Sequence, residues 1–126
     1  MISNKDNAYL GMARYFANKS KAKNRHGAVI VKSGRVLGTG YNKNRNHPSI
    51  VSPEHIKTNC SYHAEELAIR SAGVNTKGAI LYVARVNKSG QDRDSMPCPK
   101  CFNLIKESGI KRIIHTTNSG RIDVHY

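Results

Sequence analysis

The chain has 126 residues, with 21 Lys and Arg against 8 Asp and Glu, a formal charge of +13 at pH 7. That length suits one domain, residues 1–126, around one packed core. No apolar run approaches the ~18 residues of a membrane span and the N-terminus lacks the apolar core of a signal peptide, so the expectation is a cytoplasmic protein with no membrane partner.

In that reducing compartment the three cysteines serve metal chemistry better than a disulfide framework. The positive excess attracts phosphate, whether on a nucleotide or a nucleic acid, without naming the partner.

Residues 3–20 carry a helical period, with Tyr9, Met12 and Phe16 on one stripe and Leu10, Ala13 and Ala17 beside it. Ser3 or Asn4 caps its start, and Asp6 suits the positive end of its dipole. After a basic polar stretch, residues 27–32 and 36–41 form apolar runs around Ser33-Gly34, which predicts an antiparallel hairpin. Residues 42–59, with Pro48 and Pro53, are long for a connection and are a candidate pocket wall.

A second helix is expected from Ser61, as its cap, to about Ala72, burying Ala64, Leu67, Ala68 and Ser71 and stopping at Gly73. The near-continuous apolar run 79–86 reads as a central strand. A loop over 87–96 leads to a helix over 98–108, with Pro97 and Pro99 confined to its start. Residues 111–116 and 121–125 are the last strands, and the short Thr117-Asn118-Ser119-Gly120 link makes them antiparallel neighbours. The order predicts an α/β chain: a five-stranded mixed sheet, its last two strands antiparallel, with helices on its faces.

Two stretches carry the chemistry, Ser61-Tyr62-His63-Ala64-Glu65-Glu66 and Pro97-Cys98-Pro99-Lys100-Cys101. One imidazole and two thiols are ligand types that zinc prefers, and a catalytic zinc site keeps a fourth position open. Cys98 and Cys101, at i and i+3, share one face of an opening helical turn, while His63 precedes the other helix. Two positive helix ends thus converge on the metal and stabilise thiolate.

The N–H groups of Ala64 and Cys98 point at the same place. Glu65, two residues past His63, can handle the protons of a water there without binding the metal. Glu66 reads as a solvent-facing or ion-paired neighbour. Cys60 opens a different outcome, a closed Cys₃His site with a purely structural role.

His63-Ala64-Glu65 followed by Pro97-Cys98-Pro99-Lys100-Cys101 resembles the H-x-E…P-C-x-x-C signature of the zinc-dependent cytidine and deoxycytidylate deaminase superfamily. Residues 27–31 and 38–42 resemble that family's first hairpin and the Asn that ends it. The resemblance implies a three-layer α-β-α cytidine-deaminase-like fold, zinc as cofactor and a homo-oligomer. It implies hydrolytic conversion of cytosine to uracil, with Glu65 moving the protons, the Ala64 N–H on the pyrimidine carbonyl and Asn42 on the sugar.

The substrate clues diverge. His63 with a single Pro-Cys-x-x-Cys resembles deoxycytidylate and nucleic-acid deaminases, whereas the antiparallel ending resembles the free cytidine enzymes. Met96 departs from the Glu of transfer-RNA adenosine deaminases. Arg25, Lys43, Arg45, His47 and Arg93 are candidates for a substrate phosphate, and Tyr41 and Tyr62 lie near the site.

Only 6% of the residues are aromatic, few for the stacking track of a single-stranded DNA or RNA enzyme. A free (deoxy)cytidine nucleoside or nucleotide such as dCMP is therefore the favoured partner. Polynucleotide cytosine is the alternative, and a non-catalytic zinc-binding domain follows if Cys60 is the fourth ligand.

Overall fold

In a computed structural model, which describes residues 3–20, 25–44, 61–73 and 75–125, helix α1 (Asn4–Lys19) opens with a capping box. Ser3 Oγ accepts the Asp6 N–H at 3.1 Å, and Asp6 Oδ2 accepts the Ser3 N–H at 3.0 Å. The Tyr82 hydroxyl donates to Asp6 Oδ1 at 2.5 Å and ties the helix start to the sheet. Of the two stripes on this helix, the one that is buried holds Leu10, Ala13 and Ala17, while Met12 is exposed. The reason lies opposite, at Gly27, where a Cβ would sit 2.0 Å from Ala13 O and 2.4 Å from Ala17 N. Only an alanine stripe lets the helix come so close.

Strands β1 (Arg25–Lys32) and β2 (Arg35–Tyr41) form the expected hairpin, turning through Ser33 and Gly34 with φ of 52° and 76°. The remaining elements are β3 (Lys43–Asn44), β4 (Ser61–Tyr62), α2 (Ala64–Ala72), β5 (Ile80–Val86), β6 (Asp92–Arg93), α3 (Pro99–Glu107), β7 (Arg112–Thr116) and β8 (Ile122–His125). The main sheet runs β2-β1-β5-β7-β8, with β6 attached to β5. Strand β5 is central, antiparallel to β1 and parallel to β7. β8 returns antiparallel on β7, pairing Ile113 with His125, as the short link requires.

Alternation along the strands divides the core between two helix layers. Val29, Val31, Tyr82, Ala84 and Ile114 pack with Leu10 and Ala13 of α1. On the other face Ala28, Ile30, Leu81, Val83 and Ile113 pack with Ala64, Ala68 and Ile69 of α2 and Ile105 of α3. The three-layer α-β-α arrangement is therefore present.

Four local expectations need correction. Ser61 does not cap α2: it lies in β4, which pairs with β3, and His63 is the cap residue. The buried face of α2 is Ala64, Glu65, Ala68 and Ile69, whereas Leu67 is half-buried and Ser71 exposed. The helix is rotated because it settles on glycines of β2: a Cβ on Gly40 would lie 2.5 Å from Ala64 O, and one on Gly38 2.3 Å from Ala68 O.

The long connection after β2 starts with strand β3, and residues 45–60 lie outside the described residues. The 87–96 loop contains β6, a two-residue strand too short and too charged to give a pattern. Among the described residues no helix is long and apolar enough to cross a membrane.

Gly27→Ala and Gly40→Ala are each expected to cost about 1–3 kcal/mol or more in denaturant unfolding, because the added methyl meets backbone that cannot step aside. Gly11→Ala, with nothing within 4 Å of the new methyl in the middle of α1, is expected to raise stability by about 0.5–1 kcal/mol.

Candidate metal centre and active site

Strands β2, β5 and β7 run in the same direction, since β1 is antiparallel to both β2 and β5 while β5 and β7 are parallel. Helices α2 and α3 start beyond their C-terminal ends, the edge where open α/β sheets bind ligands. His63 is the cap residue of α2 and Cys98 that of α3, and neither makes a side-chain capping bond. Those side chains are turned toward each other instead. His63 Nδ1 lies 3.3 Å from Cys101 Sγ and 3.7 Å from Cys98 Sγ, and the three donor atoms all fall within 4.8 Å of one another.

Zinc fits this donor set. Tetrahedral coordination with ordinary Zn–N and Zn–S bond lengths separates nitrogen from sulfur by about 3.5 Å, a value that the two observed separations bracket. Burial holds His63 below its ordinary pKa, helped by Lys100 and opposed by Glu66, so the imidazole is neutral and ready to act as a ligand. Burial, then the charges of Glu65 and Cys98, push the Cys101 thiol well up. A divalent cation reverses that logic and converts both thiols to thiolates. Cys60, the fourth ligand of the closed alternative, lies outside the described residues.

Glu65 is 4% exposed, in the first turn of α2, and burial pushes its carboxyl up to about 7, against a backbone hydrogen bond and with some help from Glu66. Zinc at the neighbouring donors would act in the opposite direction. Glu66, its side chain largely buried, pairs with the exposed Arg70 at 3.3 Å, the ion-paired role expected of it. Ala64 is fully buried at the first position of α2, where backbone N–H groups have no partner within the helix.

Asn42 is 8% exposed at the end of β2. Its Oδ1 accepts the His26 N–H at 2.9 Å and its carbonyl accepts the Ser20 hydroxyl at 2.8 Å, so it fastens β1 to β2 beside the site. By strand alternation Arg25 shares the α1-facing side with Gly27, and its Nε is buried with no hydrogen-bond partner among the described residues. Tyr62 belongs to β4, next to His63, and Arg45 and His47 lie outside the described residues.

The structure adds residues that the sequence reading passed over. Ser95 and Thr116, both buried, close the gap where β5 and β7 diverge. Ser95 Oγ donates to Val83 O at 2.9 Å and accepts the Thr116 N–H at 2.9 Å. Thr116 Oγ1 accepts the Arg85 N–H at 3.1 Å and donates to Arg93 O at 2.7 Å. These bonds hold the chain two residues before Pro97 and so place Cys98. No sequence signal marks them, because a buried Ser or Thr looks like a loop residue until its partners are known. His26, opposite Arg85 across β1 and β5, was likewise passed over, because the apolar run that marks β1 starts at residue 27 and the strand itself starts at Arg25.

Comparison with known proteins gives one family and several relatives. The family described as "Cytidine and deoxycytidylate deaminase zinc-binding region" matches residues 3–117. The riboflavin biosynthesis protein RibD of Aquifex aeolicus (strain VF5) is 33% identical over 121 residues, covering 93% of this chain and 29% of that protein. The deoxycytidylate deaminase of Schizosaccharomyces pombe (strain 972 / ATCC 24843) is 31% identical, with 95% and 39% covered. This chain therefore spans well under half the length of those two relatives.

The deoxycytidylate deaminase of Mycobacterium phage D29 is 32% identical over 132 residues, covering 90% of this chain and 95% of the phage protein. Among solved structures, dCMP deaminase of cyanophage S-TIM5 in complex with dCMP and dUMP superposes with a TM-score of 0.69 at 22% identity, covering 91% and 82% of the two chains. Cytidine deaminase from Burkholderia pseudomallei gives 0.69 at 20% identity, covering 98% and 92%. At these identities the superpositions establish the fold.

The purified chain is expected to hold close to one zinc per chain by elemental analysis, and Cys101→Ala to lose most of it. Undiminished zinc in that variant would remove Cys101 from the ligand set. A second expectation concerns acid stability. Burial, Arg85 and His63 push the pKa of His26 from 6.5 down to about 4, against Asp94. The unfolded imidazole therefore binds a proton that the folded one refuses: the contribution is complete above pH 6.5 and lost as the pH falls through about 4. His26→Gln should flatten the pH dependence of unfolding in that window, and an unchanged slope would count against the assignment.

Proposed function

Because the chain belongs to the cytidine and deoxycytidylate deaminase zinc-binding family, we propose that it hydrolytically deaminates the cytosine base of a free (deoxy)cytidine nucleoside or nucleotide such as dCMP. The overall change adds water at C4 of the cytosine and releases ammonia, leaving uracil. The observation that carries the reading is a single buried carboxylate, Glu65, in the first turn of the helix whose cap residue is His63, beside two thiols.

Zinc held by His63, Cys98 and Cys101 supplies Lewis acidity that makes water a nucleophile near neutral pH. The protein's own groups do the rest. Glu65 receives one proton from the water and delivers it to N3 of the ring, then takes the second from the new C4 hydroxyl and passes it to the amine, which leaves as ammonia when the C4–N bond breaks. Its burial suits that exchange, since a carboxyl raised toward neutrality both takes and returns protons. The Ala64 N–H, at the positive end of α2, donates to the pyrimidine carbonyl and fixes which ring edge faces Glu65. Asn42, held by its bond to the His26 N–H, stands at the end of β2 for the sugar.

Support for a nucleotide comes from two relatives, one a phage deoxycytidylate deaminase of similar length, the other a cyanophage dCMP deaminase with dCMP and dUMP. The +13 charge favours a second reading, cytosine within a single strand; its mark would be turnover of oligonucleotides that falls steeply with salt.

Glu65→Gln is expected to keep zinc and fold while lowering kcat/KM for deamination by at least about 10²–10⁴-fold, followed as uracil or ammonia formation. Retained turnover would remove Glu65 from the mechanism.

A further inference from the structure

The sheet has a second basic edge, at the end away from the metal centre, where β2, β5 and β7 begin. Register fixes what stands there. Lys32 at the end of β1 pairs with Arg35 at the start of β2, Val31 beside it pairs with Ile80 at the start of β5, and Ile80 pairs with Arg112 at the start of β7. Lys77 and Lys111 lie on touching segments, because the Gly78 N–H donates to Gly109 O at 2.8 Å and the Lys111 N–H to Ala79 O at 2.9 Å. Neighbouring strands are about 4.8 Å apart, so cations follow one another over roughly 15 Å across β2, β1, β5 and β7.

A cavity of about 420 Å³ opens at this edge between the start of α1 and the strand ends. Lys5, Lys32, Lys111 and Arg112 line it against one acid, Asp6. That acid is already engaged: Oδ1 accepts the Tyr82 hydroxyl at 2.5 Å and Oδ2 the Ser3 N–H at 3.0 Å. Burial raises its carboxyl, but the bonds from Tyr82 and Ser3 and the charge of Arg112 outweigh that and hold it below the usual carboxylate range. Asp6 and Arg112 thus answer each other. Lys5, Lys77 and Lys111 are exposed and make no ion pair among the described residues, while Lys32 donates to Asn75 Oδ1 at 3.3 Å. Tyr9, half-buried with its ring centroid 5.4 Å from that of Tyr82, contributes an aromatic wall to the cavity.

We propose that this edge docks a single-stranded nucleic acid through its phosphate backbone, apart from the active site. A line of cations across four strands matches a chain of charges, whereas one small anion meets only the cavity. Lysines are mobile point charges, suited to phosphate contacts that carry no sequence information. The cavity beside the line takes an unpaired base against Tyr9, which a duplex, with its bases stacked inside, does not offer. The seven residues of β5 put roughly 20 Å between the two edges. The docked strand and a base at Glu65 therefore occupy different places, and the proposal does not depend on the deaminase reading.

The test uses the zinc-loaded full chain and the fluorescence anisotropy of a labelled oligothymidylate of about 20 nucleotides, which carries no cytosine. Lys77→Ala combined with Lys111→Ala is compared with Lys88→Ala combined with Arg121→Ala, which removes the same charge from exposed residues beyond the other ends of β5 and β7. The first variant is expected to weaken binding about 10-fold or more and to lower the slope of log Kd against log salt by about 1.4, two phosphate contacts at about 0.7 each. Lys77→Arg combined with Lys111→Arg should keep the affinity and the slope. Zinc content, thermal unfolding and any deamination of deoxycytidine or dCMP should be the same in the first variant as in the unaltered chain.

Equal weakening in the two alanine variants would leave only the general field of the +13 chain and overturn the docking edge. Failure of the unaltered chain to bind the oligothymidylate at low salt would do the same. A duplex of equal length bound as tightly as the single strand, or inorganic polyphosphate bound where the oligothymidylate is not, would overturn the choice of partner.

Discussion

The site depends first on how closely α2 can approach the sheet. Gly38 and Gly40 of β2 leave no room for a methyl group between the strand and the backbone of Ala64, Ala68 and Ala72. That contact sets the rotation of the helix. With Ala64 and Ala68 seated against the glycines, Glu65 is turned inward instead of toward solvent, and the cap residue His63 meets the two thiols. A wider separation would leave a carboxylate in water with an ordinary acidity, of little use for passing protons at neutral pH.

The second ligand segment is positioned by different means. α3 takes its start from a chain that leaves β5, turns back as β6 and must arrive at Pro97 in register with His63. Ser95 and Thr116 supply that register: their hydroxyls satisfy backbone groups of Val83, Arg85 and Arg93 where the parallel pairing of β5 and β7 ends. Buried hydroxyl pairs of this kind fix geometry because an unmet backbone group there carries a penalty of about 1–3 kcal/mol. The Arg14–Asp92 pair completes the anchoring from the opposite face. Metal ligands from two helices are thus held by glycine packing on one side and by hydroxyl bonds on the other.

Electrostatics at this edge is set by two helix starts and by the basic residues that the strand register aligns. Two helix starts favour thiolate and the developing negative charge of the base, and the row His26, Arg85 and Arg93 extends positive potential away from the metal position. Burial keeps His26 neutral, which limits the repulsion within the row.

The sequence by itself determined the order of the three helices and five main strands, the antiparallel ending and the His-Cys-Cys donor set, because each rests on local spacing. Four residues between the last two strands exclude a crossover, and Cys98 and Cys101 share a helical turn wherever that helix lies. Ser3 and Asp6 announced the start of α1 for the same reason. Tertiary structure decided which face of α2 is buried, since the glycines that dictate it belong to a strand some thirty residues earlier. It also decided the Ser95–Thr116 bonds, the folding back of β6 and the alignment of His26, Arg85 and Arg93, all of which join residues distant in the chain. Periodicity records what a residue does within its own element; the company it keeps across strands is fixed only by register, and register is a property of the assembled sheet.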